Sequence, residues 1–441
     1  ANARPIALLE TAAKAFSRIV QGRSNRVLME HPLLERWQFA FQPGVDIFDN
    51  IEMDSLLWEY CTANDVELHA AYLDASKAYE SVPGWLTQAA LERLRFPDNV
   101  TRMLVRLDDV VDGRQAVMED GETTGWFTFG GMAQGDVASP LKFVITQDPL
   151  VRWLAKYGRG ITIEEEINGK MHRLTVVSLH FCDDVVLYGG SREDLQHNVG
   201  IVAEWCRVTG MQMNGKKSSY MTTEAGEDAP VDGPTLTGRW VNEDATAVGG
   251  ADGRFMPHAA WNEDQGRFVV DDEARGAGPG GDGYAGPRLA DGGVLKPHAL
   301  NEAVRTLGVW RAASGETQKQ ESVLRGVLKE FEEKAGHRGI SPGQAQYLIN
   351  AILVPRIAYP LKDAATHGRG GRVVEMVDTK IRGIYKRLVG ATRTTATPAI
   401  YSKLGHGLAR VRDQIDAHEL GRLAVALQVP EAREYWRRRA E

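Results

Sequence analysis

Two adjacent carboxylates, Asp183 and Asp184, interrupt an apolar run that extends from Leu179 to Tyr188. The run predicts a strand, a hairpin turn and a second strand, with the two aspartates at the turn. Adjacent aspartates repel one another and disfavour strand structure, so this position calls for a compensating charge. A divalent metal ion is the compensating charge that the arrangement favours.

A third carboxylate, Asp74, ends another apolar run, which begins at Leu68. Two strands that end in carboxylates can share a metal ion. Oxygen ligands with few Cys or His residues nearby suit Mg²⁺ or Mn²⁺, and paired ions about 4 Å apart are common in phosphoryl transfer. These residues therefore favour nucleotidyl transfer. Asp108-Asp109 has a similar apolar frame but no phosphate-binding context, and we interpret it as a turn.

Five short segments match motifs of one known family in that family's order. They are Asn2 to Ile6, Gln38 to Gly44, Asp74 to Pro83, Gly131 to Leu141, and Phe181 to Asp184. On these segments the chain resembles reverse transcriptases of the non-LTR retrotransposon type, over most of residues 1–221 and 304–441. Three positions depart from the motifs: Ala40 replaces a glycine, Glu80 an aspartate and Cys182 an alanine.

The resemblance implies a catalytic centre for RNA-directed DNA synthesis. Asp74 and Asp183 would bind two Mg²⁺ ions, with Mn²⁺ as the alternative, and Asp184 would bind one ion or support the site. Tyr79 resembles the steric gate, whose ring would lie under the sugar and exclude a ribose 2′-hydroxyl. The expected partners are an RNA template, a DNA primer and deoxynucleoside triphosphates.

Further residues receive roles from the same resemblance. Gln134 and Gly135 would approach the template base and the triphosphate, where a flexible backbone is needed. Arg4 would contact the triphosphate with its guanidinium, and Lys217 would lie near the departing pyrophosphate. Leu307 and Gly308 would form the tight turn of the primer grip.

The fold implied is an α+β right-hand polymerase with a helical thumb. The expected parts are partial fingers in 1–70, a palm with an antiparallel sheet and helices in 71–221, a Gly-rich acidic insertion in 222–302, a primer-grip segment in 303–316, and a thumb with a C-terminal extension in 317–441. Apolar residues at helical spacing over 321–335, and a Ser341-Pro342 helix start, indicate helices there. Because the chain opens inside a fingers motif, we expect a piece of a longer polyprotein or a decayed copy.

The net charge of −7 is divided unevenly along the chain. Residues 1–221 carry 22 basic and 30 acidic side chains, 222–302 carry 6 and 15, and 303–441 carry 24 and 14. The basic excess therefore lies where a thumb would hold the phosphate backbone of a template–primer duplex. The acidic, Gly-rich stretch 222–302 has too little apolar sequence to fold tightly, so we expect it to be mostly disordered, with at most one small β element.

Composition sets the remaining expectations. No run of about 18 apolar residues is present, and the N-terminal sequence lacks the order of a signal peptide, so no membrane partner is expected. The three cysteines show no metal-ligand spacing, which favours free thiols in an intracellular compartment. A eukaryotic retrotransposon protein would act in the nucleus or in a cytoplasmic ribonucleoprotein. The oligomeric state is left open.

Other functions stay open at this point. One is a related enzyme, either a group II intron or retron-like reverse transcriptase or an RNA-dependent RNA polymerase. Phe181-Cys182-Asp183-Asp184 and Tyr79 disfavour the RNA polymerase. The other is a catalytically silent RNA-binding scaffold, which the intact aspartates disfavour and the partial fingers and the insertion favour.

Overall fold

A computed structural model describes residues 10–31, 33–42, 45–108, 131–167, 170–215, 217–227, 229–234, 259–262, 267–270, 295–336, 339–366, 370–402 and 406–426. The chain divides into two compact units, Ala1–Leu300 and Asn301–Glu441. Each unit encloses its own cluster of buried apolar side chains. Within the described ranges, no helix combines the length and the apolar character needed to cross a bilayer.

The first unit mixes helices and strands, as the predicted fold class requires. Its helices are α1 (Thr11–Glu30), α2 (Ile47–Ala63), α3 (Ala78–Ser81), α4 (Gly84–Arg93), α5 (Asp98–Arg106), α6 (Ser139–Tyr157) and α7 (Arg192–Thr209). Its strands are β1 (His69–Asp74), β2 (Ile161–Ile167), β3 (Lys170–Val176), β4 (Ser178–Phe181), β5 (Asp184–Gly189), β6 (Ser219–Thr222), β7 (Ala259–Asn262), β8 (Arg267–Val270) and β9 (Lys296–Pro297).

A five-stranded sheet with the order β4-β5-β1-β6-β9 forms the centre of this unit. Its pairings are antiparallel except for the parallel contact between β6 and β9. The central strand β1 is covered on both faces. Ala71 and Leu73 point into the main core, while the hydroxyl of Tyr72 accepts a hydrogen bond of 3.2 Å from Trp58 on α2. Burial on both faces explains why β1 is continuously apolar rather than alternating.

The structure describes folded residues at both ends of the segment 222–302, and the expectation of a mostly disordered insertion stays a prediction for the rest. Lys296 and Pro297 pair with Ser219 and Tyr220, and the side chain of Leu295 is fully buried. An apolar anchor and free sheet-edge hydrogen bonds are enough to order this short stretch. The β7–β8 hairpin agrees with the expected small β element. Residues 235–258, 263–266 and 271–294 lie outside the described residues.

The second unit is mainly helical. It contains a hairpin of β10 (Val304–Thr306) and β11 (Val309–Arg311), then α8 (Gln318–Gly336), α9 (Pro342–Leu348), a π-helical turn (Ile349–Leu353), α10 (Val354–Thr366), α11 (Gly370–Leu388), α12 (Thr397–Tyr401) and α13 (Val411–Ala426). The helices predicted over 321–335 and from Ser341 are confirmed. The hydroxyl of Ser341 accepts from the amide of Gln344, whose side chain accepts from the amide of Ser341, which fixes the start of α9.

A buried histidine in the central sheet should make folding stability depend on pH. His180 on β4 is almost fully buried, with Nε2 3.0 Å from the hydroxyl of Ser178. Burial lowers its pKa from 6.5 to about 3, so the folded state keeps the ring neutral. The unfolded chain binds a proton below pH 6.5 that the folded chain does not. This contribution to stability is therefore complete above pH 6.5 and is lost progressively as the pH falls towards 3.

We expect the unfolding free energy of the wild type to drop by about 2 kcal/mol more than that of His180→Gln between pH 6.5 and about pH 5. Urea unfolding at several pH values measures this difference. His31→Gln, at an exposed histidine that follows α1, is the control and should keep the pH dependence of the wild type. Parallel pH profiles for the wild type and His180→Gln would contradict the prediction.

Candidate active site

The register between two strands brings the predicted aspartates together. Asp74, the last residue of β1, lies directly opposite Asp184, the first residue of β5. Cys182 and Asp183 form the turn between β4 and β5, and Cys182 adopts the left-handed φ of 58° that so short a connection demands. The predicted strand, turn and strand are confirmed. All three aspartates are partly exposed, at the end of the sheet where β1 stops and β5 begins. We call Asp74, Asp183 and Asp184 together the aspartate edge.

A glutamine from the N-terminal part of the chain holds this turn. The side-chain oxygen of Gln38 accepts hydrogen bonds from the amides of Cys182 at 3.2 Å and Ala40 at 3.0 Å. Gln38 is buried, and the neighbouring amide of Phe39 donates to the carbonyl of His180 at 2.8 Å. Sequence reasoning noted Gln38 only as part of a motif, because its partner lies 144 residues away.

Asp74 is held by the segment that follows α7. The amide of Asn214 donates to the carbonyl of Asp74 at 2.7 Å. The hydroxyl of Ser218 accepts from the amide of Asp74 at 3.2 Å and donates to the carbonyl of Asn214 at 2.8 Å. Lys217 lies on this segment, and its Nζ is 3.5 Å from Oδ2 of Asp74. The structure thus brings Lys217 next to the aspartate edge, with its side chain still largely exposed.

The ring of Tyr79 packs beside the aspartate turn. It stacks on Phe143 with the ring centroids 4.8 Å apart, and its hydroxyl lies 3.3 Å from Sγ of Cys182. Burial, followed by the neighbouring Cys182 and Asp183, raises the pKa of the Tyr79 hydroxyl far above its usual range. Burial, followed by the charge of Asp183, raises the pKa of Cys182 to about 12. Both groups are therefore neutral, and the plane of the Tyr79 ring is fixed from two sides.

The loop that carries Gln134 and Gly135 runs alongside Tyr79. The amide of Met132 donates to the carbonyl of Tyr79 at 2.7 Å. Gly131 has a φ of 83°, and a Cβ there would overlap the carbonyl oxygen of Glu80. Gly135 has a φ of 110° and is exposed, with Gln134 half-buried beside it. Gly131 and Gly135 thus both adopt positive φ values, and the loop exposes backbone rather than a side chain at Gly135.

A buried ion cluster under this loop was missed from the sequence. Asp108 does lie in a turn, as expected, but its carboxylate is buried and 2.7 Å from Nζ of Lys142. Asp136 on the loop is 3.4 Å from the same ammonium. A charged residue in an otherwise apolar helix start, here Lys142, was the signal that could have indicated a buried partner. Asp109 lies outside the described residues.

The remaining predicted site residues are Arg4, Leu307 and Gly308. Arg4 lies outside the described residues. Leu307 and Gly308 belong to the second unit, where they form the predicted tight turn between β10 and β11 with φ values of 46° and 85°. The hydroxyl of Tyr359 donates to the carbonyl of Leu307 at 2.5 Å, and a Cβ on Gly308 would approach the same ring to 3.0 Å. The turn is therefore packed tightly against α10.

The aspartate edge offers hard oxygen ligands, with a cationic Lys217 beside them. Such a donor set fits Mg²⁺ or Mn²⁺ better than Zn²⁺. Across the described residues, the group of three whose ligand atoms lie within 4.8 Å of one another is a different one, formed by Glu67, His69 and Glu224. The three aspartates are spaced more widely than that.

The Glu67, His69 and Glu224 cluster lies at the opposite end of β1, about 17 Å along the strand from Asp74. The buried ring of His69 pairs with Glu67 through Nε2, which is 3.8 Å from Glu224, and its Nδ1 is 2.5 Å from the hydroxyl of Tyr220. Both carboxylates thus approach the same ring nitrogen of His69. The cluster is separate from the aspartate edge.

Comparison with known families decides the assignment. Residues 1–264 match the family model described as reverse transcriptase (RNA-dependent DNA polymerase). The chain belongs to this family. It is 27% identical over 216 residues to the retrovirus-related Pol polyprotein from the type-1 retrotransposable element R2 of Nasonia vitripennis, which covers 48% of this chain and 20% of that protein.

A second relative, the Pol polyprotein from an R2 element of Popillia japonica, is 26% identical over 229 residues, which cover 51% of this chain and 30% of that protein. These relatives confirm the resemblance to the non-LTR retrotransposon type. The chain spans less than a third of the length of either relative.

A solved structure of telomerase from Candida tropicalis, in complex with a TWJ fragment of telomeric RNA, shows a looser likeness. Its TM-score is 0.38 at 10% identity, and the alignment covers 95% of this chain and 54% of that one. A superposition this loose adds nothing to the family assignment.

Replacing Gly131, at the start of the loop that carries Gln134, should lower the unfolding free energy more than replacing a glycine of similar φ elsewhere. At Gly131 a Cβ would meet the backbone of Glu80 and Tyr79, whereas at Gly210, with a φ of 77°, nothing lies within 4 Å. We expect Gly210→Ala to cost about 1 kcal/mol of unfolding free energy from backbone strain alone. Gly131→Ala should cost more than about 2 kcal/mol, because backbone must also move. Urea unfolding measures both free energies. Equal losses for the two variants would show that the backbone around Gly131 can move without a further loss of stability.

Proposed function

We propose that this chain is an RNA-directed DNA polymerase that adds deoxynucleotides to a primer 3′ end on an RNA template. The observation that carries the proposal is the β1–β5 register. It sets Asp74 opposite Asp184, with Asp183 on the adjoining turn, in a chain of the reverse transcriptase family. Carboxylates from two strands at one exposed edge suit phosphoryl transfer, which depends on positioning and charge neutralisation.

In this proposal the first unit supplies the palm and part of the fingers, and the second unit is the thumb. The five-stranded sheet is the palm, since it carries the three aspartates. The hairpin of β10 and β11 is the primer grip, supported by the rigid Leu307-Gly308 turn against Tyr359. The helical content of the second unit and its basic excess suit contact with the backbone of a template–primer duplex.

Asp74, Asp183 and Asp184 are the residues that would hold two divalent ions, with Mg²⁺ the proposed metal. Bound there, the ions would supply the charge that lowers the pKa of the primer hydroxyl and neutralises the departing pyrophosphate. Lys217, whose ammonium lies beside Asp74, adds a mobile positive charge at the same edge. Its exposed side chain can follow the pyrophosphate as that product leaves, because it is tied to Asp74 by a single ion pair.

Tyr79 and the loop of Gln134 and Gly135 would form the pocket for the incoming deoxynucleotide. The ring is immobilised by Phe143 and Cys182, so it can present a flat, unyielding surface to the sugar. The backbone of Met132 joins the loop directly to Tyr79. Tyr79 would therefore hold the sugar, and the loop would hold the triphosphate, as one connected unit.

Asp183→Asn should abolish primer extension on poly(rA) with oligo(dT) while leaving the fold intact. The substitution removes a charge that the site needs for its metal ions, at a cost of several kcal/mol in transition-state stabilisation, or more than about 1000-fold in rate. Steady-state extension with dTTP measures the effect, and far-UV circular dichroism checks folding. Asp98→Asn, at an exposed aspartate that begins α5, should extend like the wild type.

Extension by Asp183→Asn at more than a tenth of the wild-type rate would overturn the assignment of the aspartates. A wild-type chain that binds template–primer duplex but never extends it, with either Mg²⁺ or Mn²⁺, would favour the silent RNA-binding scaffold.

Tyr79→Ala should raise ribonucleotide incorporation relative to deoxynucleotide incorporation, because it removes the surface that would meet the 2′-hydroxyl. Tyr79→Phe keeps the ring on Phe143 and loses only the contact with Cys182, so it should keep the discrimination of the wild type. Competition between UTP and dTTP in the same extension reaction gives the ratio. Similar ratios for all three proteins would assign Tyr79 to packing alone.

A further inference from the structure

The buried cluster of Lys142, Asp108 and Asp136 lies directly under the loop that carries Gln134 and Gly135. Nζ of Lys142 is 2.8 and 2.7 Å from the two carboxylate oxygens of Asp108 and 3.4 Å from Oδ2 of Asp136. The exposed fractions of these residues are 1%, 6% and 3%. Two carboxyl groups and one ammonium are thus enclosed together.

Such a cluster is a costly way to stabilise a fold. Taking three charges out of water costs several kcal/mol for each ion, and apolar residues of similar volume often stabilise a protein as well or better. The cost is visible at Asp108, where burial raises the pKa of the carboxyl against the opposing pull of Lys142. It is visible again at Asp136, neither of whose oxygens accepts a hydrogen bond from a described residue.

The three residues connect rigid elements to the loop. Lys142 belongs to the first turns of α6, and Asp108 follows α5. Asp108 also accepts a hydrogen bond of 3.3 Å from the amide of Ala133, the residue immediately before Gln134. Asp136 is the residue immediately after Gly135. The cluster therefore contacts the loop on both sides of the Gln134-Gly135 tip, through Ala133 and through Asp136.

We propose that Lys142, Asp108 and Asp136 are positioning residues that fix the Gln134-Gly135 tip and thereby set the affinity for the incoming deoxynucleoside triphosphate. The inference rests on the proposed function, since it assigns the tip to the nucleotide pocket. None of the three side chains reaches the nucleotide, because all are buried beneath the loop. They act through the backbone of Ala133 and through the position of Asp136.

Asp136→Asn separates positioning from folding. The amide has the shape of the carboxylate and leaves Lys142 and Asp108 as a balanced pair, so the unfolding free energy should stay the same or rise. The attraction that draws this side of the loop towards Lys142 is lost. We expect the KM for dTTP on poly(rA) with oligo(dT) to rise about tenfold, which corresponds to a loss of about 1.4 kcal/mol in binding free energy. The kcat should change much less.

Asp148→Asn is the matched control. Asp148 is a buried, ion-paired aspartate on the same helix α6, but its partners are Arg93, Arg152 and the amide of Glu35 rather than the loop. Its substitution should lower the unfolding free energy and leave the KM for dTTP unchanged. A second test variant, Lys142→Met with Asp108→Asn and Asp136→Asn, removes every charge of the cluster. It should fold and show the same rise in KM.

The outcomes separate the two proposals. A wild-type chain without extension activity rejects the proposed function itself. Given an active wild type, a KM within twofold of the wild-type value for Asp136→Asn, or for the charge-free triple variant if Asp136→Asn does not fold, overturns the positioning role. An equal rise in KM for Asp148→Asn also overturns it, since any buried charge on α6 would then have the same effect.

Discussion

The antiparallel pairing of β1 with β5 is the constraint on which the aspartate edge depends. Side chains alternate between the two faces of a sheet, so a shift of one residue would move Asp74 to the face opposite Asp184. The register is fixed because both faces of β1 are buried, with Leu73 in the main core and Tyr72 against α2. Gln38 and Asn214 then hold the two sides of the site in place, through Cys182 and Asp74 respectively.

This register also creates an electrostatic problem. Like charges directly opposite one another destabilise a strand pair, and Asp183 adds a third negative charge at the turn. The ammonium of Lys217 offsets part of this repulsion from one side. In the proposed function, divalent cations would offset the remaining repulsion, so the instability of the bare edge and its proposed function would have the same origin.

The sequence predicted the local features of the site well. The strand, turn and strand around Asp183 follow from local pattern, because they depend on neighbours in the chain. The turn at Leu307-Gly308 was predicted from the family resemblance. The contacts of Gln38 with Cys182 and of Lys142 with Asp108 could not be predicted in the same way, since the partners are 144 and 34 residues apart. The folded stretch at Leu295 also depends on a partner that is distant in the sequence. One buried leucine and one strand edge order it against a background composition that favours disorder.

The aspartate edge and the cluster of Lys142, Asp108 and Asp136 differ in how their charge is balanced, and the difference suits their positions. At the aspartate edge the carboxylates are partly exposed, so under the proposed function the cations that balance them could exchange with solvent. Beneath the loop, the carboxylates are balanced in part by Lys142, which is covalently fixed and buried and cannot leave. A permanent cation keeps the geometry of the loop constant whether or not the edge is loaded. Under the proposed function, the nucleotide pocket would therefore stay formed while the charge at the aspartate edge changed during each round of synthesis.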